Sequence, residues 1–249
     1  MPFTFSHPAI VLPLAKLPAR WISVTGLVIG SLTPDFEYFL RMQIRSDYGH
    51  SLWGLFYFDL PLGLVLTFLF HGVVKQSLFQ NLPVFLKSRF MVFMDFRWPQ
   101  HFRKHWWVVM VSILIGAASH IFWDSFTHQH RYFAQSIPYL TTTIPILEVQ
   151  VPGYKVLQHL STLVGGGIIL TCVFRLPVNE SGSTYISRKY WPTIIGITLV
   201  IVILRFATGL TWTQYGQLIV TVISAGLISL VATPLLLNWI GNDSSKSAF

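Results

Sequence analysis

The sequence predicts an all-α membrane protein: about five transmembrane helices preceded by an N-terminal re-entrant or interfacial helical hairpin. Three observations carry that expectation. Only 10% of the 249 residues are charged while 53% are hydrophobic, against about 25% charged in a water-soluble domain. Five apolar runs, near 52–74, 106–123, 156–174, 190–207 and 216–240, have the roughly 20-residue length that a helix needs to cross a ~30 Å hydrocarbon core. These runs also lack the alternation and the regular ~10-residue spacing of a membrane barrel.

Pro8 to Leu32 is apolar but holds Lys16, Pro18 and Arg20 at its middle, and each cation at mid-bilayer costs about 2.5 to 3.5 kcal/mol. Two short helices, near 8–16 and 21–32, avoid that cost, and the cations inside the run argue against a cleavable signal peptide. The first span contains Asp59, read as a helix-packing hydrogen-bonding group beside a kink at Pro61. The loop 75–105 collects Lys75, Lys87, Arg89, Arg97, Arg103 and Lys104, so the positive-inside rule makes it cytoplasmic. Its Phe85–Trp107 portion reads as an interfacial helix, with His71, His101 and His105 as structural members. Residues 34–51 and 124–155 then lie outside, and His130 to Tyr154, with Pro138, Pro145 and Pro152, reads as a lid against the bilayer. The third span carries His159, expected as a buried hydrogen-bonded histidine, and the close-packing patch Gly165-Gly166-Gly167. The last two spans contain no carboxylate or histidine and read as packing elements, with Gly196, Ala225 and Gly226 as close-approach points. The organisation is therefore a membrane domain over 1–175, a cytoplasmic linker over 176–189, and two C-terminal helices with a short tail over 190–249. An Asn-Glu-Ser triplet at 179–181 sits in that linker, where glycosylation does not apply.

The net charge of +8 does not signal nucleic acid, because the basic residues fall at the ends of apolar runs, where they anchor helices and attract anionic lipid. Cys172 is the single cysteine, which excludes an intramolecular disulfide and a Cys-based metal site. Chemistry therefore rests on histidine and carboxylate.

The strongest constellation ends the second span. His120, Asp124 and His128 are four apart and share one helical face, and imidazole with carboxylate is the donor set that zinc and similar divalent ions accept. The predicted topology brings Asp35, His50 and His7 to the same membrane face. Six ligand candidates exceed one tetrahedral site, and a carboxylate shared between two ions would accommodate them. Helix ends that simply meet water are the bland alternative for the same residues.

The segments Met1-Pro2-Phe3-Thr4-Phe5-Ser6-His7-Pro8, Gly30 to Tyr38, His50-Ser51-Leu52-Trp53-Gly54 and Ser119-His120 to Asp124 resemble an uncharacterised family of bacterial multi-pass membrane proteins over roughly residues 1–165. More distantly, the order His, Pro-Asp-x-Asp/Glu, His-Ser, Ser-His-x-x-x-Asp is similar to membrane-bound metal-dependent hydrolases and zinc-dependent phospholipase C. That resemblance implies one zinc ringed by Asp35, His50, His120 and Asp124, with Asp124 shared toward a second ion near His7. The later His-x-x-x-Glu pair of the soluble zinc phospholipases has no counterpart here, so one or two ions are implied, with His128 and His130 as supplementary ligands. The expected activity is hydrolysis of a lipid or phosphoester at the outer face of a bacterial inner membrane, with membrane lipids as partners. Glu37, two residues after Asp35, is the expected general base. The alternative from a different class is a non-catalytic scaffold or small transporter with a metal-stabilised His/Asp cluster.

Overall fold

Local sequence signals account for most of the secondary structure in the computed structural model, which describes residues 3–179 and 186–246, with only the backbone course from 241 onward. Part of the Asn-Glu-Ser triplet and of the 176–189 linker lies outside the described residues. The chain is about 74% helical. In order the helices are α1 (Pro8–Val11), α2 (Val24–Gly30), α3 (Thr33–Arg41), α4 (Leu60–Leu69), α5 (Lys75–Asn81), α6 (Val84–Phe90) and α7 (Trp98–Thr127). They continue with α8 (Tyr132–Ser136), α9 (Pro138–Thr141), α10 (Gly153–Phe174), α11 (Tyr190–Ala207) and α12 (Tyr215–Lys246), while β1 (Thr143–Ile146) and β2 (Val149–Pro152) form one hairpin between α9 and α10. Five helical stretches are long and apolar enough to cross a membrane: Leu55–Asn81, Trp98–Ser136, Gly153–Phe174, Tyr190–Ala207 and Tyr215–Ile240.

The N-terminal 33 residues do not form one continuous helix. Short 3-10 turns (Thr4–Ser6 and Leu12–Lys16) flank α1, and the helical course stops between Lys16 and α2, where Pro18 removes a donor and Arg20 is exposed. Ser23 restarts it as an N-cap, its hydroxyl accepting from the Gly26 N–H. The first span is built from α4 and α5 with two π turns, Leu55–Asp59 and Phe70–Val74. Asp59 is fully buried at the end of the first π turn, and π turns of this kind bend a helix locally.

Three expectations change. The interfacial segment shortens to α6 with the turn that follows it, because from Trp98 the chain is already in α7, with a kink at His105 (φ −132°, ψ 30°). His159 is exposed; Ser161 and Gly165 are the buried positions of α10, and a residue two places from Ser161 points about 200° away around the axis. Gly166, Gly167, Gly196 and Gly226 have open space where a side chain would sit, so of the glycines expected to pack in the last three spans only Gly165 does, against Ser6. Ala225 is fully buried, as a packing residue should be.

The chain divides into two compact units. One comprises residues 1–36, 47–67 and 100–175; the other comprises 37–46, 68–99 and 176–249. In the second unit α11 and α12 pair, with Thr198 and Ser229 hydroxyls 2.9 Å apart. Lys75 is held there by the carbonyls of Phe93, Met94 and Phe96 at 3.2, 3.3 and 2.8 Å, which replaces the water that a buried ammonium would otherwise require. His71 stacks on Trp98 at 4.6 Å between centroids. The first unit holds the histidine and aspartate cluster.

Candidate metal centre

Two helices approach closely at the base of the cluster because neither has a side chain at the crossing. A Cβ on Gly30 would stand 2.2 Å from the Ile113 carbonyl oxygen, and one on Gly116 would stand 2.4 Å from that of Leu27. This backbone contact between α2 and α7 places the Ser31 carbonyl against His120, whose Nδ1 donates to it at 2.7 Å. Since a carbonyl only accepts, that bond puts the ring hydrogen on Nδ1 and leaves Nε2 with its lone pair facing inward. Asp124 follows one turn later on α7.

Asp35 comes from the first turn of α3, where a carboxylate is favoured by the helix dipole. Its Oδ2 accepts from Thr4 Oγ1 at 2.6 Å, which aims Oδ1 at the histidines. His50 is brought in by the loop after α3. A Cβ on Gly49 would meet the Pro34 oxygen at 2.6 Å, and Arg131 Nη1 donates to the His50 carbonyl at 2.9 Å.

The outcome is a four-residue group, Asp35, His50, His120 and Asp124, each offering one ligand atom within 4.8 Å of all the others. His50 Nε2 lies 3.4 Å from Asp35 Oδ1 and 3.5 Å from Asp124 Oδ2. His120 Nε2 lies 3.5 Å from the same two oxygens. Two donors bound at about 2.0 to 2.2 Å to one tetrahedral ion stand about 3.3 to 3.6 Å apart, so four edges of the group have the separation that ligation imposes. Asp35 Oδ1, His120 Nε2 and Asp124 Oδ2 are buried and make no hydrogen bond, an expensive state for polar atoms that a cation at their centre relieves. The residues therefore fit a divalent ion.

Electrostatics agree with the geometry. Burial alone would raise the Asp35 pKa, yet the neighbouring His120 and His50 imidazoles hold it well below the usual carboxylate range. Burial likewise opposes charge on His50, but Asp124 and Asp35 beside its ring raise its pKa above the ordinary value.

The remaining sequence candidates take other places. His7 is fully buried, stacks on His120 at 3.7 Å, and sets Nε2 3.2 Å from Asp124 Oδ1 and Nδ1 3.1 Å from the Thr4 carbonyl. It thus lies beside the four-residue group, on the far oxygen of Asp124. His128 also sits at Asp124; its Nδ1 donates to the Asp124 carbonyl at 3.1 Å, which leaves Nε2 as the acceptor. His130 is exposed. Glu37 does not join the cluster. Arg41 Nε and Ser46 Oγ donate to its two oxygens at 3.0 Å each, and on α3 it points about 200° away from Asp35.

Thr4, Ser31 and Arg131 are the residues that sequence reading passes over. Thr4 belongs to the same opening segment as His7 and was readable as a hydroxyl near a ligand. Ser31 acts through its backbone carbonyl, for which no residue type is diagnostic.

No curated protein and no solved structure matches the chain. A family described as a domain of unknown function, DUF4184, matches residues 1–235, well beyond the 1–165 of the expected resemblance and most of the way along the last span. The four ligand candidates, their supporting residues and all five membrane-length helices lie within or largely within that match, and the chain belongs to the DUF4184 family.

Proposed function

We propose that this protein is a membrane-embedded, metal-dependent hydrolase acting on a lipid or phosphoester substrate at the outer membrane face. The observation that carries the reading is the convergence of Asp35, His50, His120 and Asp124 at ligand-to-ligand separations of 3.4 to 3.5 Å. Two aspartates and two histidines are the hard and borderline donors typical of hydrolytic centres, whereas structural zinc sites are dominated by cysteine. A divalent ion bound there, zinc being the first choice for this donor set, would supply Lewis-acid chemistry and make hydroxide available near neutral pH.

The chain's own groups have separable tasks. Thr4 and the Ser31 carbonyl hold Asp35 and His120 in orientation, as outer partners of ligands do. Two aspartates neutralise a divalent cation, and burial keeps bulk water out. His128 is the best-placed proton acceptor: its Nε2 is available and its side chain is 28% exposed, against 2% for Asp124. Glu37, with both oxygens engaged, is replaced in that role. His7 Nε2 stands 3.2 Å from Asp124 Oδ1, so His7 would be the residue to hold a second ion beside the group if one is bound. An apolar groove of about 390 Å³ is lined by Ala9, Ile10, Phe122, Trp123, Phe126 and Leu157, and the Trp123 and His7 rings stand 5.9 Å apart between centroids. Its apolar walls support a substrate with a hydrocarbon portion.

The burial of the four ligands favours one other reading, a closed metal centre that stabilises a scaffold. A single experiment separates the two. Detergent-purified protein is analysed for bound metal and assayed against fluorogenic phosphodiesters and phospholipid vesicles, alongside Asp124→Asn and His128→Gln. The hydrolase reading expects Asp124→Asn to lose metal and hydrolysis together, and His128→Gln to keep metal while losing at least tenfold in rate. Bound metal without hydrolysis of either substrate class selects the scaffold.

A further inference from the structure

The β1–β2 hairpin is the one sheet element among the described residues, and its register sorts its side chains by polarity. Ile144 pairs with Val151 and Ile146 with Val149, while Thr143 pairs with Pro152 and Pro145 with Gln150. Cross-strand partners share a face and alternate residues change face. One side of the ribbon therefore consists of four β-branched aliphatic residues, and the other of Thr143, Pro145, Gln150 and Pro152.

The aliphatic side is uncovered. Ile144 and Ile146 are each 42% exposed and Val149 is 63% exposed. At the tip Leu147 is 98% exposed and adopts φ +55°, a left-handed conformation that glycine or asparagine takes readily and leucine does not. A leucine in that position serves neither the turn nor the packing of this chain. Backbone strain of this kind, in the most exposed side chain of an apolar ribbon, points to a role outside the fold. Two strands with no layer packed on them are also marginal in water.

The surroundings specify what covers the ribbon. Between Thr143 and Pro152 the only charged residue is Glu148. β2 runs directly into α10, a membrane-length helix that starts at Gly153, and the Gly153 N–H donates to the Thr142 carbonyl at 3.0 Å, closing the base of the hairpin onto the head of that span. Tyr132 and Tyr139, 74% and 85% exposed, precede it, and tyrosine is the residue that collects where a span meets the headgroup layer.

We propose that the β1–β2 hairpin is a membrane-seated element, with Leu147 and the Ile144, Ile146, Val149 and Val151 face inserted into the lipid interface at the Gly153 end of α10. The partner is the bilayer itself, and the proposal is independent of any metal at the Asp124 cluster.

The full-length protein, with Cys172→Ser as background, carries a single cysteine at Leu147 or at Gln150, labelled with an environment-sensitive NBD fluorophore and reconstituted in phosphatidylcholine vesicles. Both positions are exposed, so neither substitution disturbs packing. The expected result is blue-shifted emission at Leu147, quenched at least twofold by doxyl-labelled lipid and little by aqueous iodide, with the opposite pattern at Gln150. Iodide quenching at Leu147 without lipid quenching overturns the proposal. So does efficient Leu147-to-Leu147 crosslinking between protomers, which assigns the face to a second copy of the chain.

Discussion

His120 shows how one side chain can be prepared for an ion by a group that never touches it. Its Nδ1 bond to the Ser31 carbonyl selects the tautomer, and Thr4 does the equivalent for Asp35. Thr4→Val keeps the shape and removes that hydroxyl bond; it is expected to weaken metal affinity about 10- to 100-fold, the usual effect of losing an outer partner, as read by competition with a chromogenic chelator. Metal uptake is also expected to depend on pH with a definite sign. His50, with its pKa raised by Asp124 and Asp35 against the effect of burial, keeps its proton at pH values where a free imidazole has lost it, and an ion must displace that proton. Asp35, held ionised, adds no proton of its own. Apparent affinity should therefore rise as pH increases through and above the ordinary histidine range, with proton release on binding measurable by calorimetry in buffers of different ionisation enthalpy.

At the scale of elements, the crossing of α2 and α7 is the contact on which the centre depends. Gly30 and Gly116 meet backbone where a side chain would sit, so a methyl group on Gly116 must push the helices apart and draw Ser31 away from His120. Gly116→Ala is expected to cost about 1 to 3 kcal/mol through overpacking and to lower metal content with it. Gly167→Ala, in open space on α10, should leave both unchanged or gain up to about 1 kcal/mol from helix propensity. Thermal unfolding in detergent paired with metal analysis checks the contrast. The hairpin belongs to this scale too. Its period-2 alternation, from Thr143 to Pro152, was visible in the sequence, but Leu147-Glu148 lacks the glycine or asparagine that ordinarily marks a two-residue turn, so a lid rather than a sheet was the natural expectation.

For the whole molecule the informative quantity is the distribution of basic residues. Six of the 17 lie between 75 and 105, and the positive-inside rule predicts that this loop is on the cytoplasmic side. Single cysteines at Gln80 and Gln135, both exposed and introduced after Cys172→Ser, are expected to react with a membrane-impermeant maleimide in intact cells only at Gln135. Labelling at Gln80 alone would invert the topology and move the metal centre to the cytoplasmic face.

The sequence by itself determined the solvent, the number of membrane-length helices, the interruption near Lys16 and Arg20, and the pairing of His120 with Asp124 on one helical face, while the structure selected Asp35 and His50 as their partners from six candidates. The features set by sequence follow from composition, run length and spacing, which are local properties of the chain, and the i, i+4 relation of His120 and Asp124 is one of them. The tertiary structure alone decided that Glu37 pairs with Arg41 and Ser46, that His159 is exposed, and that of the Gly165-Gly166-Gly167 patch only the first residue packs. It also supplied the Ser31 carbonyl and the Thr4 hydroxyl. Asp35 and Glu37 lie two residues, about 200°, apart on α3, and which of the two faces the histidines depends on the direction in which that helix presents them rather than on the residue that carries the charge.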